Sequence, residues 1–129
     1  MSARSPKRSV CPLACVLDRI GDKWSLLIVR DLFAGKSHYG ELAQSPERIA
    51  SNILADRLER LQANGLIETT PSTQRAGSSA YGLTKRGREL LPVLKAISAW
   101  GLANIAGTQA RIAIPTPAPT PTPTRRRGR

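Results

Sequence analysis

Apolar side chains recur along this chain at helical spacing in four places and alternate with polar ones as in strands near residue 70. Leu13, Val16, Leu17 and Ile20 fall at i, i+3, i+4 and i+7, one stripe of an amphipathic helix that Pro12 opens and Gly21 ends. Lys23 to Ala34 predicts a second helix, with Trp24, Leu27, Ile28 and Leu32 on one stripe and Leu26, Val29 and Phe33 on most of the remainder. A helix apolar nearly all round belongs at the centre of a core. Tyr39 to Gln44 reads as a short polar helix that Ser45-Pro46 ends, because the residue before proline disfavours helical angles.

From Ser51 to Asn64, Leu54, Leu58 and Leu61 give one apolar face and leave the other to solvent, and Gly65 suits a left-handed C-cap. Leu66–Thr70 and Ala80–Leu83 are expected as a β-hairpin around a polar loop, residues 71–79. Thr84 is placed as the N-cap of a last helix through Leu90, Leu94, Ile97 and Trp100 to about Ile105, bent or divided at Pro92. After Gly107 the pattern stops: Pro115, Pro117, Pro119, Pro121 and Pro123 alternate with Thr and Ala before an arginine cluster, an extended linker. The expected organisation is a disordered basic N-terminus (1–9), one folded domain (10–106) and a disordered Pro/Thr linker with an Arg-rich tail (107–129).

Composition narrows the class. The 129 residues hold 20 Lys plus Arg against 9 Asp plus Glu, a net charge of +11. Arg4, Lys7 and Arg8 at one end and Arg125, Arg126, Arg127 and Arg129 at the other leave thirteen basic against nine acidic residues between them. A polyanionic partner is expected, nucleic acid first and an anionic membrane surface second. The longest unbroken aliphatic run, Leu26 to Val29, is far short of the roughly 18 residues of a membrane span. Aromatics at 4% argue against single-strand binders that stack bases on rings. Two cysteines make no disulfide framework, so a cytosolic setting is expected. Arg4, Lys7 and Arg8 before Val10 to Leu17 imitate a secretory leader, and Leu13-Ala14-Cys15 a lipoprotein cleavage site. Pro12 and the immediate Asp18-Arg19 favour the helix instead.

The order helix, helix, short helix, turn, helix, hairpin, helix is that of a winged helix-turn-helix: a mainly α (α+β) fold with a two-stranded β-wing and terminal helices. Its motifs are Cys11-Pro12, Leu17-Asp18-Arg19-Ile20-Gly21-Asp22-Lys23-Trp24, Asn52 to Leu61 with Asn64-Gly65-Leu66-Ile67-Glu68, and Tyr81-Gly82-Leu83-Thr84-Lys85-Arg86-Gly87. Over Cys11 to about Gly101 the chain resembles the HxlR family of bacterial transcription regulators, relatives of the MarR group. The resemblance implies a homodimer built largely from the first and last helices, binding double-stranded DNA sequence-specifically, with no catalysis and no cofactor.

The residues themselves supply candidates. Ser51, Asn52, Ala55 and Asp56 face outward at the start of the fourth helix, with Arg57 further round, and a helix N-terminus in the major groove brings such side chains to base edges. Asn52 is the first choice, since asparagine can pair both edges of an adenine; Asn52 or Ser51 as a simple helix cap is the other reading. Arg57 either touches DNA or pairs internally with Glu41 or Asp56, and Arg60 has Asp56 at i−4. Gln74 and Arg75 sit near the hairpin tip, where an arginine meets phosphate or the minor groove or stays in solvent. His38 and Tyr39 open the short helix, for a phosphate contact or for capping and packing.

Leu13, Val16 and Leu17 on one terminal helix and Ile97, Trp100 and Ile105 on the other exceed what so small a core needs, and are expected at a dimer interface. Reactive cysteines sit near helix N-termini and cationic groups, and Cys11 has Lys7 and Arg8 close in sequence. In several members of the resembling family a cysteine at this position senses oxidants or electrophiles, so a redox or small-molecule effector is one reading and an inert thiol the other. Cys15 adjoins the apolar stripe and is expected to be buried. With His38 as the only histidine, a structural metal site is not expected, and Cys11 has no paired base for a thiol enzyme. The competing function is a non-specific nucleic-acid-binding factor driven by the basic ends, with the tail acting on phosphates.

Overall fold

The computed structural model describes residues 8–110; residues 1–7 and 111–129, which carry the alternating prolines and the terminal arginines, lie outside the described residues. Six helices and one hairpin follow in the order α1 (Pro12–Ile20), α2 (Ser25–Phe33), α3 (Tyr39–Leu42), α4 (Ser51–Ala63), β1 (Ile67–Pro71), β2 (Ser79–Leu83), α5 (Lys85–Arg88) and α6 (Leu91–Asn104). The strands pair antiparallel, with Ile67 opposite Leu83 and Pro71 opposite Ser79. This is a winged helix-turn-helix.

The core is where the apolar periodicity places it. Ile28, Val29 and Leu32 of α2 meet Leu54, Leu58 and Leu61 of α4, with Leu42 of α3, Leu66 and Ile67 at the start of the hairpin, and Leu94 of α6. Val29 and Leu54 are fully buried. Truncating a leucine in such a setting typically costs about 2–5 kcal/mol.

Several boundaries differ from the pattern for local reasons. The second helix starts at Ser25, not Lys23, because the Asp22 carboxylate accepts the backbone N–H groups of Trp24 and Ser25 at 3.0 and 3.1 Å and the Ser25 hydroxyl at 2.5 Å. It is also less uniformly apolar in its buried face than the pattern predicts: Ser25 and Asp31 are among its most buried residues. Arg30 satisfies Asp31, donating from Nε and Nη2 to the same carboxylate oxygen at 3.0 and 2.8 Å. The last helix is divided rather than bent. Thr84 caps α5, its hydroxyl accepting from the Gly87 N–H at 3.0 Å, and α6 starts afresh with Pro92 in its first turn.

Two glycines hold the junction between recognition element and wing. Gly65, at φ +76°, takes the left-handed turn after α4 and so lets Leu66 and Ile67 run into the sheet. A Cβ on Gly87 would lie 2.1 Å from the Leu66 carbonyl oxygen, so only glycine lets α5 approach the start of β1 this closely. The Thr84 hydroxyl closes the same corner by donating to the Gly65 carbonyl at 2.6 Å.

Candidate nucleic-acid interface

Helix α4 follows a turn, residues 43–50, in which Arg48 takes the left-handed conformation at φ 61°. That region is uncommon for a side-chain-bearing residue. Beneath the turn, Arg30 makes two 2.8 Å hydrogen bonds to the Glu47 carboxylate from its Nη1 and Nη2, which pulls the Glu47 pKa down to about 2 against the opposing effect of burial. The turn is thereby anchored to α2 by a paired guanidinium and carboxylate.

Ser51, Asn52, Ala55 and Asp56 are all exposed on α4, opposite the buried Leu54, Leu58 and Leu61. The N-cap is Ala50, which has no side-chain acceptor, so neither Ser51 nor Asn52 caps the helix. Their side chains and the first N–H groups of α4 are left facing outward. Arg57 is half-buried and internal: Nε donates to Asp22 Oδ2 at 2.8 Å, and Nη1 pairs with Asp56. Of the two expected internal partners, Asp56 is paired and Glu41 is not, because Glu41 is taken elsewhere; the second partner is instead Asp22, 35 residues away in sequence. Burial pushes the Asp22 carboxyl up, but hydrogen bonds from the Ser25 side chain, Arg57 and the Trp24 and Ser25 backbone outweigh it and bring its pKa to about 2. The same pairing with Asp22 raises the pKa of Arg57 above its ordinary value.

At α3, Glu41 Oε1 accepts the backbone N–H groups of Ser37 and His38 at 2.8 and 3.1 Å, and those two bonds lower its pKa. The His38 N–H is therefore already taken by Glu41, within the chain. Its imidazole is half-buried between Ser37 Oγ (3.0 Å from Nδ1) and Ser72 Oγ (2.7 Å from Nε2). Tyr39 donates its hydroxyl to the Ser51 carbonyl at 2.7 Å, fixing α3 against the first residue of α4.

The wing is tied down along β2 and at the root of its tip loop. Tyr81 N–H donates to the Ser37 carbonyl at 2.7 Å, and His38 holds Ser72. Ser72 Oγ also accepts the backbone N–H groups of Gln74 and Arg75, each at 3.0 Å, which shapes the tip and leaves both side chains exposed.

The remaining candidates lie away from this surface. Leu13, Val16 and Leu17 of α1 and Ile97 and Trp100 of α6, with Ile105 just after it, are exposed; Leu13 is 65% and Trp100 63% accessible. Val10, Val93 and Leu102 are exposed too. Cys11 is exposed at the N-cap of α1, its backbone N–H on Ser9 Oγ, while Cys15 is half-buried rather than buried, with its thiol directed at the Ser9 carbonyl. Arg8 pairs with Asp18 at 2.6 Å. Among the described residues, no three His, Cys, Asp or Glu side chains group to hold a metal ion, and no helix is long and apolar enough to cross a membrane.

A helix-turn-helix with an exposed N-terminal row on its second helix and a hairpin beside it defines a DNA-binding winged-helix protein. The family model of the HxlR-like helix-turn-helix matches residues 19–109, and the chain belongs to that family of transcriptional regulators. It is 35% identical over 92 residues to the HTH-type transcriptional regulator sll1512 of Synechocystis, spanning 71% of this chain and 68% of that protein. Among solved structures it is similar to PA1607, assigned as a transcription factor (38% identity, TM-score 0.74, 88% of this chain and 80% of that one). It is also similar to the redox regulator HypR in its oxidised form (30% identity, TM-score 0.65, 73% of this chain and 97% of that one).

Proposed function

We propose that the protein acts in the cytoplasm, at the nucleoid, as a homodimer that binds an inverted-repeat operator. Each subunit places the N-terminal half of α4 in the major groove. Ser51, Asn52, Ala55 and Asp56 read or approach base edges there, and Gln74 and Arg75 of the wing, with Arg48 ahead of α4, meet the backbone or minor groove. The observation that carries this reading is the exposed, uncapped N-terminal row of α4, set on a helix whose opposite face is locked by Leu54, Leu58 and Leu61. The exposed apolar residues of α1 and α6 supply the subunit interface, since a patch this apolar is costly to leave in water.

Cys11 is the position where an oxidant or electrophile would act on this regulator. Its exposure at the start of an interface helix and the likeness to the redox regulator HypR support that assignment.

Binding to a randomised duplex pool at near-physiological salt, with sequencing of the bound fraction, tests the DNA reading. An enriched inverted repeat with half-sites about one helical turn apart is expected. An unenriched pool would replace it with a non-specific binder driven by the basic ends.

A further inference from the structure

One imidazole joins the tip of the wing to the rest of the protein. Beyond the last strand pair, Pro71 and Ser79, residues 72–78 close on themselves: Ser72 N–H donates to the Ser78 carbonyl at 2.8 Å and Ser78 N–H to the Arg75 carbonyl at 3.1 Å. Among the described residues, the only hydrogen bond from this loop to another part of the chain joins Ser72 Oγ and His38 Nε2, at 2.7 Å. Its direction follows from the protons available. A serine hydroxyl has one proton and two acceptor positions. The backbone N–H groups of Gln74 and Arg75 take both acceptor positions, each at 3.0 Å, so the Ser72 proton points to Nε2 and that nitrogen carries no hydrogen. The ring proton then sits on Nδ1, 3.0 Å from Ser37 Oγ. The bond as built requires a neutral histidine.

We propose that protonation of His38 releases the tip of the wing, which makes this bond a proton-operated tether. An imidazolium has a hydrogen on each nitrogen and no acceptor. With both acceptor positions of Ser72 Oγ filled, two hydrogens would meet between Ser72 and Nε2, and the bond is lost. The titratable and charged side chains on the segments that meet at the ring are Lys36, Tyr39 and Glu41 on the α3 side and Glu68, Arg75 and Tyr81 on the wing. Among them Glu41 draws the imidazolium, since its Oε1 lies 3.7 Å from Nδ1. The Ser37 and His38 N–H groups that Glu41 accepts hold its pKa below the ordinary value, so it stays ionised over the range in which histidines titrate. The Tyr39 hydroxyl is spent on the Ser51 carbonyl. The proton thus exchanges a neutral bond to the wing for an ionic contact at the start of α3. The strands stay paired and β2 stays on Ser37 through the Tyr81 N–H, so the loop carrying Gln74 and Arg75 is the part set free. On the operator reading above, acid would weaken the share of DNA affinity that the wing supplies.

His38 is the one histidine of the chain, so its ring can be followed alone in the full-length protein. Nitrogen-15 NMR without DNA, titrated from about pH 8 to about pH 5, tests the tether apart from the fate of the operator reading. At the alkaline end the ring should show the Nδ1–H tautomer, and the Gln74 and Arg75 amides should have order parameters near those of rigid backbone, about 0.85. As the ring takes up its proton, both amides should fall below about 0.6 along the same one-proton curve, with the amides of α4 unchanged. In His38→Ala both should be low throughout. The Nε2–H tautomer at the alkaline end, a ring that stays neutral to the acid end, loop amides that do not follow the ring, or a wild-type pH response in His38→Ala would each overturn the proposal.

Discussion

Arg57 of the recognition helix donates Nε to the same Asp22 oxygen that takes the first backbone N–H groups of α2. One carboxylate thus fixes where the central helix begins and how α4 is rotated about its own axis. Asp22→Asn should lower unfolding stability by about 1–3 kcal/mol at neutral pH, measured in urea, because the buried donors of Arg57 and Ser25 lose a charged acceptor. The folded pKa of Asp22, about 2, is below its ordinary value of 3.8. Its contribution is therefore complete above the unfolded value and is lost as pH falls through the folded one. The stability gap between wild type and Asp22→Asn should close between about pH 4 and pH 2; a gap independent of pH would remove the ionic role.

Asn52→Ala should relax base preference at one position of each half-site. The expected loss is about 1–3 kcal/mol of discrimination there, with little change in affinity for unrelated duplex. Since Asn52 is exposed and caps nothing, the thermal midpoint should hardly move. A fall in stability with selectivity intact would return Asn52 to a structural role.

Trp100→Glu and Leu13→Glu place a charge on the exposed apolar face of α6 and α1. Each should convert a dimer into a monomer by light scattering at micromolar concentration, with circular dichroism preserved, because a desolvated unpaired carboxylate costs several kcal/mol. A monomeric wild type would remove the interface altogether.

His38→Ala should loosen the wing without unfolding the domain. Ser72 Oγ accepts two backbone N–H groups, so its own proton is directed to His38 Nε2, and the imidazole holds the root of the tip loop to the start of α3. Faster amide exchange at Gln74 and Arg75, with core amides unchanged, is the expected outcome. Equal exchange across the wing in both proteins would show that Ser37 and Tyr81 suffice to hold it.

Removing residues 115–129 takes away four arginines. If each meets a phosphate, the slope of log affinity against log salt should shrink by up to about 0.9 per arginine. An unchanged slope would leave the tail with no part in binding.

The apolar spacing determined the elements, their order and most of the core, because burying a 3.6-residue stripe leaves few arrangements for helices this short. The outward row of α4 was legible for the same reason: once Leu54, Leu58 and Leu61 are inside, Ser51, Asn52, Ala55 and Asp56 are outside. So was the apolar excess of the terminal helices, which appears as exposed surface on a single chain. The polar contacts were not legible. The Arg57–Asp22 pair spans 35 positions and the His38–Ser72 bond 34, and no local periodicity encodes which side chains a fold brings together at such separations.

The uncapped start of α4 shows the division most plainly. Serine and asparagine at positions 51 and 52 are the residue types that cap helices, and sequence alone, while favouring base contact, left capping open as the other reading. Only tertiary structure removed the capping reading. The turn before α4 is held by Arg30 on Glu47, the helix begins at Ser51 with Ala50 as its cap, and both polar side chains lie inside the first turn, pointing away from the protein. Local sequence sets which face of a helix is wet. Which residue stands at its end is set by contacts with the rest of the chain, because the helix boundary costs little to move by one residue and a distant ion pair is enough to choose it.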